Sequence, residues 1–180
     1  MKHLYAILIA AFAPFTLFAQ NTESDFPEKG MIHDKKMLHV GIVVEDIDAS
    51  IEHWTAFLGL DEKPNSILAA GDSKNPTQYQ GHLSGAQAKL AFFNLENLQI
   101  ELIQPLGDDK SHWHDFLDTK GEGVHHLAFE VKGIGEGYKE NYQKAGLPIV
   151  QSGGWESGEY AYADSMEALG VIIELLENYE

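Results

Sequence analysis

The chain has 180 residues and a net charge of −16, and its 12 basic residues are all lysine. A surface this acidic repels nucleic acid and anionic lipid headgroups, and without arginine the chain lacks the usual two-pronged clamp for phosphate or carboxylate. Cysteine is absent, which excludes disulfides, thiolate metal ligands, a thiol nucleophile and a cysteine-linked lipid anchor.

In chain order, residues 1–19 read as an export leader. Lys2 and His3 give a short positive start, residues 4–18 are apolar apart from the interruption at Pro14, and small Ala19 precedes a cleavage point at Gln20. The apolar run is shorter than the roughly 20 residues a membrane span needs, so the mature chain is expected to be secreted or periplasmic. Residues 20–36, with Pro27 and Gly30, read as a polar linker.

Residues 37–44 form a nearly unbroken apolar run, the pattern of a strand buried on both faces. Asp46 is placed to cap a helix running to residue 58, with Ile47, Ile51, Trp54 and Leu58 at helical spacing and Gly59 as its stop. Residues 62–88 are irregular, punctuated by Pro64, Gly71, Pro76, Gly81 and Gly85, with one short strand expected at 67–70. Strands follow at 89–93 and 98–104 around a tight turn, then a short helical connection over 108–120 capped by Ser111. A strand at 124–131, a helix at 136–145 stopped by Gly146, strands at 147–151 and 160–164 around a glycine-rich turn, and a last strand at 171–176 complete the chain.

The two halves repeat each other. Aligning His39 with His126 also aligns Val44 with Val131, Ile47 with Ile134 and Gly59 with Gly146, while the closing strand Gln99-Ile100-Glu101-Leu102 matches Ile172-Ile173-Glu174-Leu175. Each half opens on a strand carrying a histidine and closes on one carrying a glutamate. A glutamate between isoleucine and leucine is informative, because a carboxylate is rarely buried without a partner. His39, Glu101, His126 and Glu174 therefore form a candidate site for one divalent ion, with imidazole and carboxylate donors suited to zinc, nickel, cobalt, manganese or ferrous iron. Strand alternation turns His125 away from this site. Tyr79, His82, Trp113 and Trp155 read as core first and pocket walls second, His112 and His114 read as solvated, and His33 and His53 show no partner pattern. Gly133, Gly135 and Gly137 lack the spacing and lysine of a phosphate loop.

On His39-Val40-Gly41-Ile42-Val43-Val44, Gln99-Ile100-Glu101-Leu102-Ile103-Gln104-Pro105, Gly123-Val124-His125-His126-Leu127-Ala128-Phe129 and Gly170-Val171-Ile172-Ile173-Glu174-Leu175, the chain resembles the vicinal oxygen chelate superfamily. That superfamily includes glyoxalase I, methylmalonyl-CoA epimerase, extradiol dioxygenases, and fosfomycin and bleomycin resistance proteins. The resemblance implies an α+β fold of two βαβββ modules, residues 37–106 and 122–180 joined by 107–121, in a cupped, barrel-like mixed sheet around a metal. It assigns His39, Glu101, His126 and Glu174 as metal ligands. Dioxygenases of this fold lack a ligand at the Glu101 position, so the resemblance favours a metal-dependent lyase or isomerase of the glyoxalase or epimerase type. Such an enzyme removes a proton beside a metal-bound carbonyl or enediolate, with Glu101 and Glu174 as its catalytic carboxylates. The alternatives are a ferrous extradiol-type dioxygenase and a resistance-type binding protein. The expected partner is a small molecule, with neither nucleic acid nor membrane once the leader is removed, and a homodimer stays open. An exported chain without arginine argues against glutathione or CoA substrates, so the resemblance carries the chemistry and not the substrate.

Overall fold

The apolar run that opens the first half is strand β1 (Met37–Val43), and Asp46 ends it by capping helix α1 (Ile47–Leu58), its carboxylate accepting from the Asp48 and Ala49 backbone amides at 3.0 Å. Gly59 stops the helix in the left-handed region at φ 66°. The inward face of α1 buries Ile47 and Ile51 against Ala91, Phe93, Ile100 and Leu102, each isoleucine contributing roughly 1.5–3 kcal/mol of apolar transfer.

The computed structural model describes residues 26–27, 30–33 and 35–179, so the export leader over 1–19 and part of the linker lie outside the described residues. After α1 come β2 (Ile67–Ala70), β3 (Gln78–Tyr79), β4 (His82–Leu83), β5 (Gln87–Asn94), β6 (Gln99–Leu106) and helix α2 (His112–Lys120). The second half supplies β7 (Gly123–Glu130), α3 (Glu136–Lys144), β8 (Ile149–Trp155), β9 (Gly158–Ala163), α4 (Met166–Leu169) and β10 (Ile172–Asn178). All ten strands join one curled mixed sheet in the order β2-β5-β6-β1-β7-β10-β9-β8-β3-β4. Omitting the β3–β4 hairpin, the order is symmetric about the β1–β7 pair. The expected α+β cup of repeated strand–helix–strand units is therefore the fold observed. No helix among the described residues is long and apolar enough to cross a membrane.

Register carries the symmetry further. β1 runs parallel to β6 with Gly41 opposite Glu101, and β7 runs parallel to β10 with Ala128 opposite Glu174. The histidine lies two residues before the paired position in each case. β1 and β7 meet antiparallel at the centre, and two bulges interrupt that ladder. The pairing steps from Met37–Phe129 to His39–Ala128, leaving Leu38 extra, and from Gly41–His126 to Ile42–Val124, leaving His125 extra. Leu38 and His125 are equivalent positions of the repeat, each just before the site histidine.

Two expectations are corrected. Gly153 and Gly154 do not form the expected turn; they lie inside β8, and the chain reverses at 156–157. A Cβ on Gly153 would lie 3.0 Å from the Tyr160 ring, and one on Gly154 would lie 2.5 Å from the Gly158 carbonyl, so these glycines serve close approach between strands. The irregular stretch after β2 also holds more structure than one strand. It crosses the open side of the cup, where β3 pairs with β8 through Gln78–Ser152 and Tyr79–Gln151 and so ties the first half to the outer edge of the second.

Candidate metal centre

The four central strands, β6, β1, β7 and β10, each send one side chain to a common point. His39, Glu101, His126 and Glu174 are all buried, none more than 6% exposed, and each offers a ligand atom within 4.8 Å of the others. The His39 and His126 Nε2 atoms are 2.9 Å apart. Glu174 Oε2 lies 2.8 Å from His39 Nε2 and 3.1 Å from His126 Nε2. Glu101 Oε2 lies 3.3 and 3.4 Å from the same two nitrogens. Donors bound to one ion through bonds of about 2.0–2.2 Å sit roughly 2.9–3.5 Å from each other, close to the spread seen here. Glu174 Oε2 is fully buried yet accepts no hydrogen bond of sound geometry despite its two close neighbours. Lone pairs converging on one point with a buried carboxylate oxygen left over are what a cation would satisfy, so the donor set fits a divalent ion.

Electrostatics inside the cluster are strongly coupled. Burial works to lower the basicity of His39, but Glu101 and Glu174 beside it outweigh burial and raise its pKa to about 10. His126 moves the same way, burial being overcome by the charge of Glu174 and by Glu101. Burial works against ionisation of Glu101 and Glu174, yet the two imidazoles hold both carboxyls below the usual range. Without an ion, the 2.9 Å between the two Nε2 atoms holds one proton between them, so the cluster titrates as a unit, and cation uptake must displace that proton.

Gly41 makes room for the site. It pairs with His126 across β1 and β7, and a Cβ there would lie 2.0 Å from His126 Cε1 and 2.4 Å from Nε2. The imidazole lies against bare backbone. Nothing in the local sequence reveals this contact, because it depends on the cross-strand register.

The expectation that His125 turns away is overturned by the bulge. As the extra residue of β7 it escapes simple alternation, and its Nδ1 lies 2.9 Å from His126 Nδ1. Its Nε2 lies 2.8 Å from His112 Nδ1, so His112, expected in solvent, is partly buried and bonded behind the site. When His126 offers its Nε2 lone pair to the cluster, its Nδ1–H donates to His125 Nδ1, and His125 Nε2–H then donates to His112 Nδ1. Burial first, then the neighbouring His126 and His112, lowers the His125 pKa well below that of free imidazole, in keeping with a neutral link.

A cavity of about 700 Å³ opens above the cluster, with His39, Glu101 and Glu174 on its floor. Trp113 and Trp155 belong to its walls, as does Tyr162, whose hydroxyl accepts from Trp113 Nε1 at 3.1 Å. Tyr79 is instead buried core, its hydroxyl donating to Asp115. His82 and His53 are exposed, and His114 is taken up by the α2 cap, 2.9 Å from the Ser111 hydroxyl.

Residues 38–163 match the family model described as the Glyoxalase/Bleomycin resistance protein/Dioxygenase superfamily. A relative of similar sequence is the uncharacterized protein YqjC of Bacillus subtilis (strain 168), 28% identical over 141 residues, covering 77% of this chain and 89% of that protein. Among solved structures, the chain is similar to the hypothetical protein BH1468 from Bacillus halodurans C-125, at 26% identity and a TM-score of 0.56 over 81% of this chain and 95% of that one. It is also similar to methylmalonyl-CoA epimerase from Mycobacterium tuberculosis, at 25% identity and a TM-score of 0.52 over 83% of this chain and 91% of that one.

Proposed function

The chain belongs to the glyoxalase/bleomycin resistance protein/dioxygenase superfamily, and on that premise we propose that it is a metal-dependent lyase or isomerase that moves a proton beside the carbonyl of a small molecule. The observation that carries this reading is the convergence of two histidines and two glutamates on the floor of a cavity, with one carboxylate oxygen unsatisfied. His39, Glu101, His126 and Glu174 would hold a divalent ion. Such an ion would act as a Lewis acid on a substrate carbonyl and so ease loss of the neighbouring proton. Similarity to an epimerase supports proton transfer over oxygen chemistry, since inverting a carbon centre requires a proton to leave and return.

The chain's own groups supply the rest. Glu174 is the chosen base: it lies on the cavity floor among the ion-binding donors, and its second carboxylate oxygen is left to take the proton. Glu101, opposite it, is placed to return the proton. Trp113 and Tyr162 wall the floor with apolar ring surface, and water driven off it when a substrate enters would strengthen the charge interactions there. The test is hydrogen–deuterium exchange at the carbon beside a carbonyl, followed by NMR with metal-loaded protein. Glu174→Gln should retain most of the metal, because the amide oxygen still ligates, and lose roughly 10²–10⁴ in exchange rate. Metal-loaded wild type that exchanges no such proton yet consumes oxygen with a catechol would overturn the proposal.

A further inference from the structure

The cavity walls carry information about the substrate that the floor does not. Of the residues lining the 700 Å³ space, none is a lysine, and its carboxylates are the two on the floor. The chain has no arginine at all. A phosphate, sulfate or second carboxylate on the part of a ligand away from the floor would therefore meet no lysine or arginine among the described residues that line the cup. Outside the cup it would face a surface with 28 acidic residues against 12 lysines.

The polar atoms on the walls are largely engaged with each other. Gln99 Nε2 donates to Asn94 Oδ1 at 2.6 Å, and Trp113 Nε1 donates to the Tyr162 hydroxyl at 3.1 Å. The Tyr160 hydroxyl accepts from Gln151 Nε2 at 3.0 Å. What remains is mainly apolar: Leu38, Leu90, Phe92 and Leu176 inside, with Ile67 and Leu68 at the edge strand β2. Ile67, opposite Leu90 in the ladder and so on the cavity side, is 54% exposed although it lines the cavity. Exposed aliphatic side chains beside a cavity mark a surface that a ligand covers, and the volume suits a molecule of drug-like size rather than a two- or three-carbon acid.

We infer that, on the proton-transfer reading above, the substrate is an uncharged carbonyl compound whose carbonyl end meets the floor and whose aliphatic or aromatic tail lies along the β2–β5 wall, and not a phosphorylated metabolite or a CoA thioester. The reaction step is balanced without a co-reactant. The C–H bond beside the carbonyl breaks, its proton goes to a floor carboxylate, the electron pair moves into the carbonyl group, and a proton returns to carbon.

The test uses two chelating probes on the full chain loaded with Co²⁺, read by tryptophan fluorescence and calorimetry. Octanohydroxamic acid carries an uncharged alkyl tail, and phosphonoacetohydroxamic acid carries an anionic one on the same head group. The apolar probe should bind at least about tenfold tighter. Gln99→Lys, which puts a cation on the wall, should narrow that gap by strengthening phosphonate binding. Equal or tighter binding of the phosphonate probe to the wild type would overturn the assignment. Exchange measured in parallel on 2-hydroxyacetophenone separates the two readings. Tight octanohydroxamate binding without exchange refutes proton transfer while supporting the substrate class, whereas exchange that is faster with methylmalonyl-CoA supports proton transfer and overturns the class.

Discussion

Replacing Gly41 with alanine adds one methyl group at the point where β1 passes under the His126 ring. The backbone itself tolerates the change, since Gly41 is not among the glycines with positive φ, and away from contacts a Gly→Ala change stabilises a strand of compatible conformation by about 0.4–1 kcal/mol. The cost is steric. The new Cβ would lie 2.0 Å from His126 Cε1, against a carbon–carbon contact distance of about 3.5 Å, so the ring must retreat by roughly 1.5 Å. Metal bonds tolerate about 0.2 Å, and that displacement takes Nε2 out of reach of the ion. Gly41→Ala should therefore lower divalent-metal affinity by about 100-fold or more and destabilise the metal-free protein by about 1–3 kcal/mol through overpacking. Titration calorimetry reads the first and urea denaturation the second. A double-mutant cycle isolates the cause: with His126→Ala the ring is gone, and Gly41→Ala should then cost less than about 0.5 kcal/mol. Wild-type metal affinity in Gly41→Ala, or an equal stability cost in both backgrounds, would refute this reasoning.

Glu101→Gln should slow α-proton exchange less than Glu174→Gln does at similar metal content; the reverse ranking would assign the base to Glu101. His125→Ala removes the partner of His126 Nδ1 and should weaken metal binding by about 10- to 100-fold, a loss that calorimetry would measure; unchanged affinity would reduce the His112–His125–His126 chain to packing. Metal-free protein should lose thermal stability as pH rises from about 6.5 towards 10. The reason is that the folded-state pKa of His39 is raised to about 10, so its contribution is complete below the unfolded value and vanishes as pH climbs through the folded one. Metal-loaded protein should keep its melting temperature across that window, because the cation replaces the proton, and parallel melting curves that fall together would contradict this.

The sequence was most legible where chemistry repeats. His39 and His126, then Glu101 and Glu174, stand at equivalent places in two halves, and the matching parallel registers at Gly41–Glu101 and Ala128–Glu174 are the physical counterpart of that repeat. Local signals were also readable, because a cap or stop is decided within one turn: Asp46 and Gly59 on α1, Ser111 on α2. What escaped was non-local. Alternation put His125 on the wrong side because it presumes an unbroken ladder, whereas β7 bulges at that residue against β1. Gly153 and Gly154 resemble a turn in isolation and reveal their packing role only once Tyr160 and Gly158 lie against them. The stretch after β2 showed only proline and glycine breaks, and its short β3–β4 hairpin is tied to the sheet through β3's pairing with β8, more than seventy residues further on. The cup's uncharged walls likewise emerge only when β2, β5, β9 and β10 are brought around one space.

The bound ion is the most direct test of the metal centre. Elemental analysis of the protein purified without added metal, repeated after exposure to Zn²⁺, Ni²⁺, Co²⁺, Mn²⁺ and Fe²⁺, reads it directly. The structure predicts about one divalent ion per chain in the wild type and less than about a tenth of that in His126→Ala, which removes one of few ligands. A folded wild type that carries no divalent ion and takes up none of the five would contradict the assignment of His39, Glu101, His126 and Glu174 as a metal centre.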